Sequence, residues 1–495
     1  MSKKIALINP PWYFENAEMP GDQGLSQNLG LGYLGAVLEA EGHKVEIIDG
    51  LSEGIDNTAP VVIKGKRFYR KGLPYENTAE RIDANADFIG ITVPFTTMAT
   101  IARELASEIK KRFPEIPLIG GGVYPSTLPE KALSEGFDYV VVGEGEKPLT
   151  EFAADTPPEK IRGAFFLKNG QLTGAGQSDV IMDLDSLPFP ARHLLPMEQY
   201  LKWFPRGKRS KRTASIITSR GCPFGCNFCA VHPVYGNKWR ARSPENVLAE
   251  IEELISEYGV EHIEFEDDNL TLNSERAEEI FEGLAGSNGN VTWSTPNGVR
   301  LDTLNYPLLR KMKDSGCSLL TIAVESGDPP ILQAMNKALD IEKAEEVAGW
   351  CGEMGIPVFY FFMLGYPGET RESFQKTLRF AEKLKKRGAG HYGIAITKAY
   401  PGTKLGKLCQ EKGWLVDKDL DSTPILGEYV SIVTDDFDER EMNRRLNTFR
   451  RRISTQQYME RRVAENKWLR YLNRTIPEPI QNFLRRPVRG LLKRL

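Results

Sequence analysis

Twice along its 495 residues the chain alternates short β-branched apolar runs with longer stretches of helical period. No other feature restricts the fold as much, because a strand-then-helix series closes as a parallel sheet covered by helices. In the first third the runs are "KIALINPP", "KVEIIDG", "FIGITVP", "PLIGGGV" and "YVVVGEG", each ending in or near Gly, Pro or Asp. Helical patterns such as "LGYLGAVLEAEG" and "TMATIARELASEIKKRF" lie between them. The spacing predicts a doubly wound parallel sheet of five strands over residues 1–154. In such a sheet a ligand lies beyond the carboxyl ends of the strands, here at residues 9–12, 92–95, 120–125 and 143–146. The glycines there either let a bulky ligand approach the backbone or make tight strand-to-helix turns.

From Asp155 the pattern dissolves into a Pro/Gly-rich connector, residues 155–208, with room for one small hairpin. A second series follows: "TASIITS", "HIEFEDDNL", "VTWSTPN", "LLTIAVES", "IPVFYFFMLG" and "HYGIAITKA" alternate with helical patterns. Six such units over residues 209–425 predict an α/β partial barrel of TIM type, (β/α)6, with its active face at the strand carboxyl ends. Residues 426–495 read as a helical basic extension. From residue 442 onward 15 Lys and Arg stand against three Glu, a net of +12, which leaves −15 on the rest.

No run approaches the roughly 18–20 apolar residues of a membrane span, and "MSKKIALINPPW" enters a strand at once with no secretory signal, so the expected compartment is the cytoplasm. Six cysteines, clustered rather than distributed, argue for metal or redox chemistry and against a disulfide framework. Three of them, Cys222, Cys226 and Cys229, fall in "TSRGCPFGCNFCAVH". A zinc site closes with four protein ligands, and His232 is the one neighbour able to complete it. Iron–sulfur clusters use thiolates in such short runs, and three of them leave one iron open to a substrate.

A C-x3-C-x2-C loop directly after the first strand of a barrel resembles that of the radical S-adenosylmethionine (SAM) enzymes. The resemblance implies a 4Fe-4S cluster on the three cysteines, SAM on its open iron, and cleavage of SAM to a 5′-deoxyadenosyl radical. Further segments are similar residue by residue. "FEDDNLTLN" implicates Glu266, Asp267 or Asp268 for the SAM ammonium, and "TPNGVRLD" implicates Asn297 and Arg300. "IAVESGDPPILQAMNK" places Glu325 at the ribose and Ser326 at the carboxylate. "FFMLGYPGET" puts Gly365 and Pro367 in the adenine-contacting turn, and Phe228 stands where an aromatic packs on adenine.

The first domain resembles the Rossmann-like cobalamin-binding domain that precedes many such barrels, through "INPP", "IGITVPFTTMATIARELASEIK", "GGGVYPSTLPEKAL" and "DYVVVGEGE". That implies cobalamin against Asn9, Pro10, Thr92, Gly120, Gly121, Gly122, Tyr124, Gly143 and Glu144. No D-x-H-x-x-G loop is present, and His43 falls at a helix-to-strand turn, so cobalt is expected to have no histidine below it. By resemblance the chain is a class B radical SAM enzyme that methylates an unactivated carbon, served by an external electron donor such as flavodoxin or ferredoxin. An oxidative cyclase, a rearrangement enzyme and a non-catalytic sensor are the other readings. No general acid or base is assigned; Tyr392 and Tyr400 line the pocket or belong to the core. The basic extension, rich in Leu, Phe, Trp and Tyr, reads either as helices on an anionic membrane, which would favour a lipid or other apolar small-molecule substrate, or as a cap on the acidic body. Nucleic acid is not an expected partner.

Overall fold

The structure is a computed structural model, and it describes residues 1–14, 26–63, 65–203, 211–286, 291–387, 390–417 and 429–453. Ten strands build the first half: β1 (Lys4–Asn9), β2 (Trp12–Phe14), β3 (Lys44–Asp49), β4 (Thr58–Ile63), β5 (Lys66–Lys71), β6 (Phe88–Thr92), β7 (Leu118–Gly121), β8 (Tyr139–Val141), β9 (Ala164–Lys168) and β10 (Gln171–Gly174). The five expected strands form one parallel set in the order β3-β1-β6-β7-β8. The order reverses between β1 and β6, so the crevice predicted for such a sheet lies over their carboxyl ends.

Two features depart from the sequence reading. The hairpin β9–β10 pairs antiparallel with β8 and extends the sheet to seven strands, so residues 164–174 of the connector belong structurally to the first domain. An uncovered β8 would expose a row of backbone donors and acceptors, which the hairpin pairs. A separate antiparallel sheet, β2-β5-β4, was not anticipated. Its strand β4, "TAPVVI", is not buried at any position and carries Pro60 in its interior, which weakens its reading as a strand.

The second half contains β11 (Thr213–Ile216), β12 (Ser219–Arg220), β13 (Arg240–Ala241), β14 (His262–Phe265), β15 (Thr292–Val299), β16 (Cys317–Glu325), β17 (Val358–Leu364) and β18 (Gly390–Ile396). Six of them pair in parallel and in chain order, β11-β14-β15-β16-β17-β18, as consecutive strand–helix units should. The helix that follows β13 shows how local sequence sets an element. Ser243 accepts a hydrogen bond from Asn246 N at the start of Pro244–Tyr258, Pro244 opens the first turn, and Gly259 ends it in the left-handed region at φ +61°. On the outer face of β15 Trp293 stacks on Phe281 with centroids 4.7 Å apart.

One apolar core runs through both halves. Ile5, Leu7 and Leu31 of the first domain join Ala214, Ile263 and Leu320 of the second through Leu195, Met197, Tyr200 and Leu201 of the connector. The connector is a packed strap. Its Ala191 N donates to Gly32 O at 2.9 Å, and a methyl on Gly32 would lie 2.9 Å from Pro190 Cβ. At the far end the helix Glu439–Arg452 packs against β17 and β18, so the expected boundary at residue 425 does not separate it from the barrel sheet.

Candidate functional site

The three clustered cysteines sit on a loop closed at its base by the β12–β13 pair, in which Arg220 faces Arg240. Gly221 begins the loop at φ +81°, where a Cβ would lie 2.4 Å from Lys238 O, so only glycine is tolerated. Hydrogen bonds from distant segments hold the loop. Asn227 N donates to Met335 O (2.9 Å), Asn227 Nδ2 to Ala334 O (2.8 Å), Asn336 Nδ2 to Gly225 O (2.7 Å) and Leu405 N to Asn227 O (2.8 Å). Cys222, Cys226 and Cys229 are each half-buried. Burial raises the Cys222 and Cys229 thiols, the latter to about 11, and Asp268 and Cys226 add to the rise in both. Metal binding would overcome that by displacing the protons.

Among the described residues no three His, Cys, Asp or Glu side chains gather as the ligands of one ion, and His232 Nε2 is bonded to the Cys222 carbonyl at 2.9 Å. The donor set therefore suits a polynuclear cluster, whose ligands sit on separate irons, better than the zinc site that His232 would complete.

Apart from Phe228, which lies in the cysteine loop, the residues matched to SAM lie at or near the carboxyl ends of β14 to β17. Asp267 is buried and its carboxylate is taken by Thr218 N (3.1 Å), Thr218 Oγ1 (2.8 Å) and Ser219 Oγ, so it braces the base of the cysteine loop. Burial, then Asp267, pushes Asp268 up to about 6. Asn297 is exposed and donates to Glu266 O at 2.9 Å. Arg300 lies 3.5 Å over the Phe224 ring and forks onto Asp302 at 2.9 Å, which sets its plane beside the cysteine loop. Glu325 is a non-glycine residue at φ +65°, at a register shift between β16 and β17, and it pairs with buried Lys337 at 3.2 Å. Strain of this kind persists where surrounding structure holds it, and it concentrates at functional positions. Ser326 bonds Thr377 Oγ1 at 3.1 Å. Gly365 has φ +75°, and a Cβ there would lie 2.7 Å from Met442 Sδ. Pro367 follows in the same turn and is buried, while Phe228 is half-buried against the core. Tyr392 is buried and stacks on Tyr360 with centroids 5.4 Å apart; Tyr400 is half-buried.

At the first domain's strand ends Asn9 donates to Asp49 (2.9 Å) and accepts from Asn28 (3.2 Å). Pro10 is buried and Thr92 half-buried. Gly120 is packed against Phe137, and Gly122, at φ +101°, against Val93 O; Gly121 has open space where a side chain would project. Tyr124 is fully buried and donates to Glu135 at 2.6 Å. Gly143 N donates to Ser126 Oγ at 3.1 Å. Glu144 is committed to Arg240 at 2.8 and 3.0 Å. His43 accepts from Lys3 N at the opposite end of the sheet, clear of these loops. Both amide atoms of Gln27 and Thr96 Oγ1 are buried without partners near the ends of β1 and β6. Such groups need a partner. Together with the open side of Gly121 they fit an amide-rich ligand such as cobalamin.

The two sets of strand-end loops meet. A methyl on Gly402, after β18, would lie 2.7 Å from Thr127 Cγ2, and Gln177 Nε2 donates to Pro233 O at 3.2 Å. Sequence reading did not find Thr218, Ser219, Asn336 or Lys337, since nothing in their local spacing announces partners some 12 to 111 residues away.

Residues 216–381 match the model of the radical SAM superfamily and residues 23–153 that of the B12 binding domain. An uncharacterised methyltransferase of Pyrococcus horikoshii is 31% identical over 412 residues, covering 81% of this chain and 82% of that one. Cytidylyl-2-hydroxyethylphosphonate methyltransferase of Streptomyces wedmorensis is 28% identical over 452 residues, covering 83% of each. Among solved structures, the radical S-adenosylmethionine methyltransferase TsrM of Kitasatospora setae, with cobalamin and a [4Fe-4S] cluster bound, superposes with a TM-score of 0.65. That match is 18% identical and covers 90% of this chain and 82% of that one.

Proposed function

Because the chain belongs to the cobalamin-dependent radical SAM methyltransferases, we propose that it places a SAM-derived methyl group on an unactivated carbon of a small organic substrate held between its two sets of strand ends. The observation that supports this reading is contact between the two halves near their strand ends: Gly402, after β18, lies against Thr127, which follows β7, and Gln177 Nε2 donates to Pro233 O at 3.2 Å. When bound, the cluster, SAM and cobalamin supply radical generation and methyl carriage, chemistry no side chain offers.

The chain's own residues bind and orient. Cys222, Cys226 and Cys229 hold the cluster. Asp268, unbraced by the contacts that occupy Asp267, receives the SAM ammonium, with Asn297 and Arg300 beside it. Glu325 and Ser326 take the ribose and carboxylate, and the turn at 365–369 with Phe228 flanks adenine. Gly121, Gln27 and Thr96 face cobalamin.

The substrate itself is apolar in part. On β17 Tyr360 is next to Cys351 of the helix Ile341–Met354 and Phe362 packs on Phe449 of the last helix. Strand alternation therefore sends Phe359 and Phe361 to the opposite face, where they stay half-buried, 6.3 Å apart. They form an aromatic wall on the side away from the helices.

The test is anaerobic incubation of reconstituted protein with SAM, cobalamin, a strong reductant and host metabolite or lipid extract, quantifying 5′-deoxyadenosine and S-adenosylhomocysteine. Both should rise with extract and both should vanish in Cys226→Ala. Deoxyadenosine without S-adenosylhomocysteine would overturn methylation in favour of cyclisation or rearrangement.

A further inference from the structure

Between the two halves lie four charged side chains that the reaction does not use. Glu144 and Glu146 follow β8 in the first domain; Arg220 and Arg240 are cross-strand partners in the β12–β13 pair that closes the cysteine loop. Arg240 Nη1 donates to both Glu144 oxygens at 2.8 and 3.0 Å, and Arg220 Nη2 lies 2.7 Å from Glu146. Arg220 Nη1 also lies 3.5 Å from Glu144. All four are buried. Neighbouring segments complete the set. Ile181 N donates to Glu144 at 2.7 Å, Arg240 donates to Ile181 O and Tyr235 O at 2.8 and 3.1 Å, and the Tyr33 ring lies 5.0 Å under Arg220.

Two buried cations and two buried anions balance in charge. Desolvating them offsets most of what their attraction returns, so such a group is better explained by the geometry it fixes than by stability. What it fixes is definite. One side of it is the strand-end loop matched to cobalamin; the other begins two residues before Cys222.

We propose that Arg220, Arg240, Glu144 and Glu146 form a positioning latch that sets the separation between the cysteine loop and the first domain's strand ends, with Glu144 serving this docking and not cofactor contact. The proposal rests on the function argued above, since its purpose is to hold two cofactor sites in register. Weakening the latch leaves each site's own ligands in place, so deoxyadenosine formation and methyl transfer should uncouple.

Two readouts test it. In protein without cofactors, spin probes attached by non-cysteine chemistry at Glu108 and Ser256, exposed or partly exposed positions in the two halves, report the interdomain distance by pulsed EPR. Glu144→Gln/Glu146→Gln should broaden the distribution, and the exchanged pair Arg220→Glu/Glu146→Arg should narrow it again relative to Arg220→Glu alone. In reconstituted holoenzyme, Arg240→Lys, which keeps the charge but loses the Nη2 hydrogen bond to Tyr235 O and the planar guanidinium that spans Glu144, Ile181 O and Tyr235 O, should retain cluster and cobalamin spectra. Its methylated product per deoxyadenosine should fall by on the order of tenfold, the scale of one lost charged contact. An unchanged distance distribution in the Gln variants overturns the latch. A broadened distribution with an unchanged product ratio overturns its positioning role. Wild-type protein that takes up no cobalamin would overturn the functional reading instead, and the cofactor-free distances would still decide whether the latch exists. Should the double Gln variant not fold, Glu146→Gln alone with Arg240→Lys carries the same comparison.

Discussion

Glu369 has one carboxylate oxygen against Arg445 at 2.9 Å and the other buried without a partner. Burial pushes it up to about 7 from an ordinary 4.5, although Arg445 pulls the other way. Because the folded value lies above the unfolded one, the stability this group contributes is fully present below pH 4.5 and is lost as pH rises through about 7. Glu369→Gln should flatten that slope. Urea unfolding at pH 5.5 and 7.5 should show a smaller difference for the variant than for the parent; equal differences would contradict the assignment. Four residues earlier, Gly365→Ala would combine a positive φ with a methyl 2.7 Å from Met442 Sδ. A loss of about 1–3 kcal/mol in denaturant unfolding is expected. At this scale the sequence is uneven as a guide. Three cysteines in eight residues point to metal or redox chemistry, and their place directly after a strand carries the family resemblance by which the polar residues near the ends of β14 to β17 could be matched in order. Asp267 could not be told from Asp268, because what distinguishes them is the company of Thr218 and Ser219, brought there by β11–β14 pairing. Glu144 read as a ligand to cobalamin for a similar reason: its arginine partner lies 96 residues on.

The helix Glu439–Arg452 opens the basic extension, and its described part behaves as a cap. Arg445 is buried against Glu369 and Glu441, Phe449 meets Phe362, Arg452 pairs with Glu382 at 2.6 Å and Lys385 donates to Ile453 O at 2.8 Å. Truncation after residue 443 would remove buried Arg445, and with it Leu446 and Phe449 from a core that includes Leu364 and Tyr366 at the turn proposed to flank SAM. The expected result is a protein with a lowered melting temperature and no measurable SAM binding by calorimetry, whereas truncation after residue 453 should leave both intact. Parental SAM binding in the shorter protein would show that the helix is dispensable. The long strands β16 and β17 were readable from sequence because "LLTIAV" and "VFYFFML" are near-continuous apolar runs, as strands covered on both sides tend to be. The short pair β12–β13 was not, since two residues carry no periodicity, yet it frames the cysteine loop.

For the whole molecule, two strand–helix series and one break between them were enough to predict two α/β units, and the structure has both parallel sheets. What the sequence could not convey is how tightly the units join, because the joining contacts are side-chain pairs between remote segments. Among the described residues no helix is long and apolar enough to cross a membrane. The peripheral contact is expected of the basic extension, residues 426–495, of which 454–495 lie outside the described residues. Full-length protein should float with vesicles containing anionic lipid in a salt-sensitive manner, and the protein truncated after residue 453 should not; flotation of both would place the contact elsewhere. The continuous core that runs through the connector carries a different implication. Ala214 and Ile216 share their apolar surroundings with Leu195, Tyr200 and the underside of the first sheet. That shared layer is therefore incomplete in either unit alone. Expressed as two polypeptides divided within residues 175–212, each half would present its share of that core to water, and the two should be recovered in soluble form only when produced together.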